Sequence, residues 1–581
     1  MSGTITNVAS STPSKQSTTD ARTVEVKPQR NFLVTYIVSF KRAEDKRTEQ
    51  EKAAYDAMTD VEKAIHNTTY SGLQEKMSFR HLIMIAVGGA VGTGLFVNSG
   101  ASLNTGGPAS LIIGWIIVAT MMLSTCMALA ELCVAFPVAG GFTTYATRFI
   151  DPSIGFALGW NYYINWAIMV PLQLVAAAMT IKYWNADINS TIWVVVFYLL
   201  IWLLNMLDVK YYAESEVILS MVKIIAIAAF FILGIILVCG GGPQGGYLGV
   251  QYWYSPGAFS HGFKGVCSVF VTAAFSFGGV ELVGMAAAET TNPIKTIPRA
   301  CKQTFWLVTC LYVITLLLIG LLVPYNDARL LSGDTFASVS PFVIAIQNAG
   351  ISGLPSVMNV VILIAVLSVA NSSVYASARI LAGLAEAGHA PKFLTYIDRT
   401  GRPLWATIVT LLFGLLCFVA SSDKEAEIFL WFSALCGLST FFAWMTICFS
   451  HIRFRAALDS QGRGTDGLAY ISQFGVGGSW YSFFMNILVI GVQFWVALFP
   501  GSRADVKSFF AVFLSLLIFL ACYLGHKIVT KNWILLIRAS EINIDNNRSP
   551  EQLEEDRLAI REAKEKAAGY PLWKRTYYFW C

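Results

Sequence analysis

The chain is poor in charged residues. Aspartate, glutamate, lysine and arginine make up 13% of its 581 residues, whereas hydrophobic residues make up 55%. A soluble globular protein carries about 25% charged residues, so a soluble enzyme of several domains is a poor fit. The net charge of +5 says little about partners, and we expect no nucleic acid among them.

Other signatures are missing as well. The 11 cysteines have no metal-binding spacing, and most fall within apolar segments, where a free cysteine behaves as a small hydrophobic residue. No Walker loop is present, which excludes direct use of ATP. The polar start of the chain has no short apolar core, so we expect no cleavable signal peptide. We therefore expect neither an enzyme nor a cofactor.

What the chain does contain is about twelve apolar segments long enough to cross a bilayer. They lie near residues 82–98, 109–135, 154–182, 191–207, 214–239, 265–287, 305–324, 354–384, 404–421, 426–450, 479–499 and 508–528. These segments predict an all-α polytopic membrane protein. Its transmembrane core would span residues 82–528, with polar tails at 1–81 and 529–581.

The distribution of positive charge predicts the orientation of the core. An even number of spans places both tails on one side of the membrane. Lysine and arginine are concentrated in the N-terminal tail and in the loops on that side, among them Arg148, Lys210, Arg299, Arg402 and Arg455. Because cytosolic loops carry the excess of positive charge, we predict that both tails are cytosolic.

The first apolar segment contains a cluster of glycines. Four of the seven residues from Gly88 to Gly94 are glycine, and each glycine costs a helix interior about 1 kcal/mol relative to alanine. A helix that breaks in the middle of the membrane, and so exposes its N–H groups to a bound anion, needs such a segment. The alternative is a face for helix packing, where small residues also gather.

A second interruption, Phe275–Glu281, lies five spans later. Gly278 and Gly279 permit close approach of the backbone there. Paired interruptions in the two halves of a membrane protein are the best sequence indication of a transporter's substrate site.

Several stretches resemble the fungal amino-acid permeases of the amino acid–polyamine–organocation superfamily, and most closely the broad-specificity members of that family. The matching stretches are Gly140–Asp151, Phe263–Phe277, Gly320–Asp327 and the terminal Phe579-Trp580-Cys581. The resemblance extends from about residue 70 to the C-terminus. It implies a LeuT-like inverted repeat of five plus five helices with two further C-terminal helices, and proton-coupled import with the proton as the coupling ion.

The resemblance also assigns roles to the two interruptions. Gly92-Thr93-Gly94 matches the family's clamp for the substrate α-carboxylate, which needs N–H donors and the positive end of a half-helix dipole. Backbone carbonyls around Ser276, Gly278 and Gly279 would bind the α-ammonium group. Phe275 stands where relatives carry an aromatic gate, although its spacing alone favours an ordinary core phenylalanine.

Two ionisable residues lie deep within spans. An ionised carboxylate at Glu281 is costly in a membrane, which suits a group that exchanges a proton, and the family matches a glutamate here. The alternative is a structural carboxylate held by neighbouring hydroxyls. Lys223 would either extend to the cytosolic surface or fill a cation site, as a lysine does in some proton-driven relatives, and the sequence favours neither.

The side chain of the substrate would contact the third and tenth spans. We expect Asn165 and Gln173 from the third and Cys436 from the tenth, together with Ser439 and Thr440. Many relatives carry glutamate where Gln173 stands, and a neutral residue here favours a broad substrate range over cationic substrates. Asn371 in the eighth span either lines the cavity or bonds to a neighbouring helix.

The tails are expected to be regulatory. Lys15 and Lys27 are among the cytosolic lysines for which the resemblance implies ubiquitin-dependent endocytosis, and hence a ubiquitin ligase as a partner. Cys581 is not a prenylation site, because no residues follow it, but S-palmitoylation at this position suits the aromatic residues beside it and the family's shared ending.

These features together indicate a proton-coupled importer of amino acids in the plasma membrane, with broad specificity and alternating access. Its partners would be amino acids, protons and membrane lipids. Two alternatives remain: an amino-acid sensor or transporter-receptor on the same fold, and a permease of narrower specificity. Sensors of the family tend to have a longer N-terminal tail, which favours transport here.

Overall fold

The computed structural model describes residues 39–42, 63, 66, 77–138, 140–184, 189–243, 246–290, 292–330, 340–421, 425–499, 505–544, 558, 569 and 571. Sixteen α-helices lie in this part of the chain. In chain order they are α1 Phe79–Ala90, α2 Ser99–Ala135, α3 Phe142–Phe149, α4 Pro152–Ile181, α5 Ser190–Met206, α6 Val209–Val238, α7 Gly262–Ser268, α8 Phe270–Phe277, α9 Leu282–Met285, α10 Pro293–Leu322, α11 Pro341–Asn348, α12 Leu354–Glu386, α13 Leu404–Gly414, α14 Glu425–Ser460, α15 Gly475–Leu498 and α16 Val506–Thr530.

Each of the predicted apolar segments is largely helical in the structure. The predicted all-α fold class is confirmed. Nine helical stretches of the described residues are long and apolar enough to cross a membrane. One of them, Phe79–Ala135, holds the first two predicted segments, which a kink at Gly107 (φ 82°) before Pro108 separates. Two further segments coincide with the shorter apolar helices Ser190–Met206 and Leu404–Phe418. A count of twelve crossings and the inverted repeat stay predictions.

Both predicted interruptions break their helices. Helix α1 ends at Ala90, Val91 is extended (ψ 95°), and the chain resumes with a π-helical turn at Gly94–Asn98. Helix α8 ends at Phe277, after which Gly278 is non-helical (ψ 132°) and Gly279 adopts φ 109°. Glycine is the residue that tolerates this positive φ without strain, so the sequence pattern and the backbone agree.

The helices around these breaks form the interior of the bundle. Helix α4 packs against α12 and α14, and α2 packs against α10. Large side chains of these helices are fully buried, among them Trp115, Trp166, Trp444 and Tyr312. Helix α6 is different, because much of its surface is exposed apolar residues, as expected of a helix that faces lipid.

The described parts of both tails contact loops that the charge distribution assigns to one side. The Tyr396 hydroxyl donates to Phe40 O at 2.7 Å. From the other tail, Ile537 N–H donates to Ile150 O at 2.9 Å, and Ile542 O accepts from Gln461 at 2.8 Å. This arrangement is what an even number of spans requires. The cytosolic location of that side, and the regulatory nature of tails 1–81 and 529–581, stay predictions.

Replacing Gly279 with alanine should destabilise the bundle. A Cβ atom there would lie 2.7 Å from Gly89 C and 2.8 Å from Ala90 N, at a φ that other residues avoid, and such strain costs about 1 to 3 kcal/mol. We expect a lower melting temperature in detergent and less protein at the cell surface. Gly491→Ala is the control, because a Cβ atom there has no neighbour within 4 Å; equal melting temperatures for the two variants would contradict the prediction.

Candidate substrate site

The two helix breaks are in direct contact. A Cβ atom on Gly94 would lie 2.6 Å from Ser276 Oγ and 2.8 Å from Ser276 Cα. One turn earlier, the backbone of Gly279 lies against Gly89 and Ala90. The glycines therefore permit the two broken segments to touch through their backbones, and the predicted interruptions form one place in the fold.

The break in α1 leaves N–H groups outside the helical ladder. Val91 N–H donates to Val87 O at 2.9 Å and completes α1. The next helical bonds are those of Leu95 and Phe96, whose N–H groups donate to Gly92 O at 3.2 and 3.1 Å. The N–H groups of residues 92–94 lie between these two ladders, at the start of a helical segment. That is the arrangement in which a carboxylate is bound by backbone donors and a helix dipole.

Tyr312 of α10 connects the two breaks. Its hydroxyl lies 2.9 Å from Ala90 O and 2.7 Å from Ser276 O, which are carbonyls at the C-terminal ends of α1 and α8. Helix ends leave such carbonyls without a helical partner. Because a carbonyl oxygen has two lone pairs, Ser276 O retains the capacity to accept from an ammonium group as well. Nothing in the local sequence around Tyr312 indicates this position.

The predicted side-chain residues lie beside the breaks. Gln173 Nε2 donates to Thr93 Oγ1 at 3.1 Å, which joins α4 to the broken segment after α1. Cys436 of α14 contacts Asn165 O at 3.5 Å, and a neighbouring pair, Ser439 and Asn161, is bonded at 2.6 Å. The third and tenth predicted spans thus meet next to the glycine segment.

Two buried acceptors at this place lack partners. Asn165 is 3% exposed and Gln173 is 1% exposed. Neither Asn165 Oδ1 nor Gln173 Oε1 has a hydrogen-bond partner among the residues that the structure describes. Because an unsatisfied buried polar atom costs free energy, these oxygens favour a bound molecule that brings N–H or O–H donors.

Phe275 and Gly278 occupy the predicted segment of the second break. Phe275 is 7% exposed, and Gly278 N–H closes α8 by donating to Ala274 O at 2.9 Å. Ser276 Oγ is turned back on its own helix, where it donates to Thr272 O at 2.8 Å. Ser276 therefore lies against the first break with both its backbone and its side chain, while its hydroxyl proton is donated within α8.

Glu281 is buried and surrounded by donors. The Tyr162 hydroxyl donates to Oε1 at 2.7 Å, and Gly279 N–H donates to Oε2 at 3.2 Å. Trp444 Nε1 lies 3.5 Å from the same oxygen. The carboxylate thus links the second break to α4 and α14. The hydroxyl of Tyr162 is the kind of support that the structural alternative expects, and the role of Glu281 in proton exchange stays a prediction.

Lys223 lies inside the bundle rather than at its surface. The side chain is fully buried, and Nζ donates to Gly88 O at 2.8 Å. Gly88 belongs to the part of α1 that precedes the break. On the same helix, Glu216 is also buried, and our sequence reasoning missed it, although an acid seven residues before Lys223 in an apolar span was visible.

Asn371 bonds to a neighbouring helix. Its Nδ2 donates to Glu216 Oε1 at 2.6 Å, which is one of the two expectations for this residue. Cys581, the predicted lipidation site, lies outside the described residues, and its palmitoylation stays a prediction.

The chain is similar to known permeases along most of its length. The family model for amino acid permeases matches residues 81–539. The chain is 53% identical to the histidine permease of Saccharomyces cerevisiae over 93% of this chain and 89% of that protein. It is 51% identical to the general amino-acid permease GAP2 of Candida albicans over 95% of this chain and 94% of that protein. With the general amino-acid permease GAP1 of Saccharomyces cerevisiae, the identity is 50% over 90% and 88% of the two chains.

Replacing Gly94 with leucine should abolish uptake while the protein still reaches the cell surface. A side chain there would collide with the Ser276 backbone and would cover the N–H groups that a carboxylate needs. Uptake per molecule at the surface is the measurement, with Gly491→Leu on the exposed face of α15 as the control. Normal uptake by Gly94→Leu would contradict the assignment of residues 92–94 as the carboxylate clamp.

Replacing Tyr312 with phenylalanine removes one oxygen atom and should lower kcat/KM for uptake about tenfold. The reason is that two buried carbonyls lose their shared donor, at a cost of about 1 to 3 kcal/mol. Tyr470→Phe is the control, because the hydroxyl of this partly buried tyrosine contacts the weak acceptor Met127 Sδ at 3.3 Å. If both variants transport like the unaltered protein, Tyr312 does not hold the breaks together.

Proposed function

Because the chain belongs to the amino acid permease family, we propose that it imports amino acids across the plasma membrane together with protons, and that it accepts a broad range of them. The observation that carries this proposal is the contact between the two broken helices. It brings N–H groups that lie outside the helical ladders, and the carbonyl ends of helices, to one buried place. Groups of these kinds recognise the α-carboxylate and the α-ammonium that all amino acids share.

The surroundings of this place favour a neutral side chain. Gln173 and Asn165 each present an uncharged acceptor without a partner in the described part of the chain. Cys436 and Thr440 are small residues on the facing helix α14, and both are buried. A recognition site built mainly from backbone, with small uncharged residues beside it, supports broad specificity. The similarity to two general amino-acid permeases supports it as well.

A narrower range is the second candidate. The identity of 53% to a histidine permease is as high as that to the general permeases, so sequence similarity does not separate them. Uptake of labelled amino acids into yeast that lacks its own permeases, with all twenty amino acids as competitors, tests both. Competition by most neutral amino acids supports the broad range, competition by histidine alone supports the narrow one, and no uptake of any amino acid overturns both.

Alternating access accounts for the burial of the site. The candidate residues Thr93, Gln173, Ser276 and Glu281 are each at most 1% exposed. Substrate therefore enters only after helices around the breaks move, first on the outer side and then on the inner side. Such movement of a bundle around a fixed central site is the usual cycle of transporters with broken helices.

Proton coupling would use Glu281 and Lys223. Both are buried charges within spans, and both contact a broken segment: Glu281 through Gly279 N–H at 3.2 Å and Lys223 through Gly88 O at 2.8 Å. Groups of this kind inside a membrane are expensive and are typical of proton pathways. A change of charge at either residue alters a hydrogen bond to the backbone at a break or just before it, and this would link protonation to binding.

Replacing Glu281 with glutamine should abolish proton-driven accumulation. Glutamine keeps the shape but does not exchange a proton at neutral pH, and its amide N–H₂ would meet donors from Tyr162, Gly279 and Trp444. The measurement is concentrative uptake and amino-acid-dependent proton influx in vesicles with an imposed pH gradient.

Exchange of labelled for unlabelled substrate without a gradient separates loss of coupling from loss of binding, and we expect exchange to persist. Asp327→Asn, in the loop between α10 and α11, is the matched carboxylate control. Should Glu281→Gln accumulate substrate like the unaltered protein with the same proton dependence, Glu281 is structural and Lys223 is left as the coupling group.

A further inference from the structure

Helix α6 buries two opposite charges on one face. Ile218, Ile225 and Ile232 on its outer side are 65%, 61% and 66% exposed. Glu216 and Lys223, by contrast, are fully buried, with the buried Ser220 between them. Spacings of four and three residues place all three on one side of a helix. An acidic and a basic residue buried in an apolar span indicate a candidate functional site.

Helix α12 donates hydrogen bonds to the carboxylate of Glu216, and α5 supports one of the donors. Ser368 Oγ donates to Oε2 at 2.8 Å, and Asn371 Nδ2 donates to Oε1 at 2.6 Å. The amide oxygen of Asn371 in turn accepts from Asn205 Nδ2 at 2.8 Å. Donors on both oxygens offset part of the cost of burying an ionised carboxylate, and the network holds the carboxylate in a fixed position.

Both charged side chains reach α1 at a single residue. Lys223 Nζ donates to Gly88 O at 2.8 Å. A Cβ atom on Gly88 would overlap Glu216 Oε2 and would lie 3.2 Å from Ser220 Oγ. Gly88 lies four residues before Gly92. Glu216 and Lys223 therefore contact the helix that leads directly into the candidate carboxylate clamp.

The other titratable groups nearby are tyrosines of α6, α10 and α12 and charged groups that pair with each other. On α6, Tyr212 is stacked on Tyr375 of α12 with ring centroids 4.7 Å apart. On α12, Arg379 is paired with Glu289 at 2.8 Å. Helix α1 directs Arg80 and His81 to Glu214 at one end of α6, and α10 directs Tyr312 to Ala90. Among these described residues, Glu216 is therefore the carboxyl group that is not paired with an arginine or a histidine.

We propose that Glu216 is a positioning residue for proton coupling: it keeps Lys223 protonated and bonded to Gly88 O, so that proton loss from Lys223 frees α1 to move. The proposal rests on the proposed proton-coupled uptake. In the releasing step an N–H bond of Lys223 breaks, the electron pair stays on Nζ, and the proton passes to water on the inner side. In this scheme Glu216 acts through Lys223 and neither binds substrate nor carries the transported proton.

The test is the external pH dependence of labelled amino-acid uptake in permease-deficient yeast. In Glu216→Gln the charged form of Lys223 loses its counter-charge, so the alkaline fall in uptake should move to lower pH by about one unit. Ser368→Ala, which removes one donor from Glu216, should shift the profile in the same direction by a smaller amount. Ser220→Ala is the matched control, since it lies between the two charges and bonds to Met84 O of the same helix, and its profile should not shift.

A double variant distinguishes positioning from a structural contribution. When Lys223 is replaced with methionine, adding Glu216→Gln should produce no further change in the residual pH profile. A profile of Glu216→Gln that matches the unaltered protein, or that is lowered equally at every pH, overturns the proposal. If Glu216→Gln does not reach the cell surface, an unshifted profile of Ser368→Ala overturns it instead.

The two levels of the proposal fail differently. If the unaltered protein accumulates no amino acid, the proposed function fails and the assignment of Glu216 fails with it. If the unaltered protein transports amino acids and the variants show no shift, only the assignment of Glu216 is wrong.

Discussion

A helix that breaks inside a bilayer must satisfy its freed backbone groups within the protein, because lipid offers no hydrogen-bond partners. The arrangement around α1 and α8 follows from this constraint. Tyr312 meets the carbonyls of Ala90 and Ser276, and Lys223 meets the carbonyl of Gly88. The N–H groups of residues 92–94 lie outside the flanking helical ladders, and a substrate carboxylate is the partner that we propose for them.

The same constraint explains the glycines. The ends of the two broken helices must lie close enough together for the Tyr312 hydroxyl to contact a carbonyl of each. A Cβ atom at Gly94 or Gly279 would prevent that approach. The glycine segment thus weakens α1 as a helix and at the same time permits the contact that stabilises the break. These opposite effects meet at one place because the proposed substrate binding and the helix break use the same backbone groups.

The buried charges depend on the breaks as well. Glu281 accepts from Gly279 N–H of the second break, whereas Lys223 donates to Gly88 O before the first, and Glu216 lies against the same glycine. A buried charge is tolerated where several groups of opposite polarity surround it. The charged groups thus contact the broken segments that we propose bind substrate, so the proposed coupling of protons to transport needs no separate pathway.

Hydropathy and glycine spacing alone determined the helical spans, the two breaks, and the depth of Glu281 and Lys223, since these are local properties of the chain. The sequence also indicated that Gln173 and Cys436 lie near the breaks, although only through resemblance. The tertiary structure decided which groups are partners: Tyr312 with Ala90, 222 residues away, and Asn371 with Glu216, 155 residues away. It also decided that Lys223 turns inward to Gly88. Hydrogen bonds between distant helices depend on packing, which no local pattern encodes, so a tyrosine in an apolar span looks the same in sequence whether it holds two helices together or merely fills space.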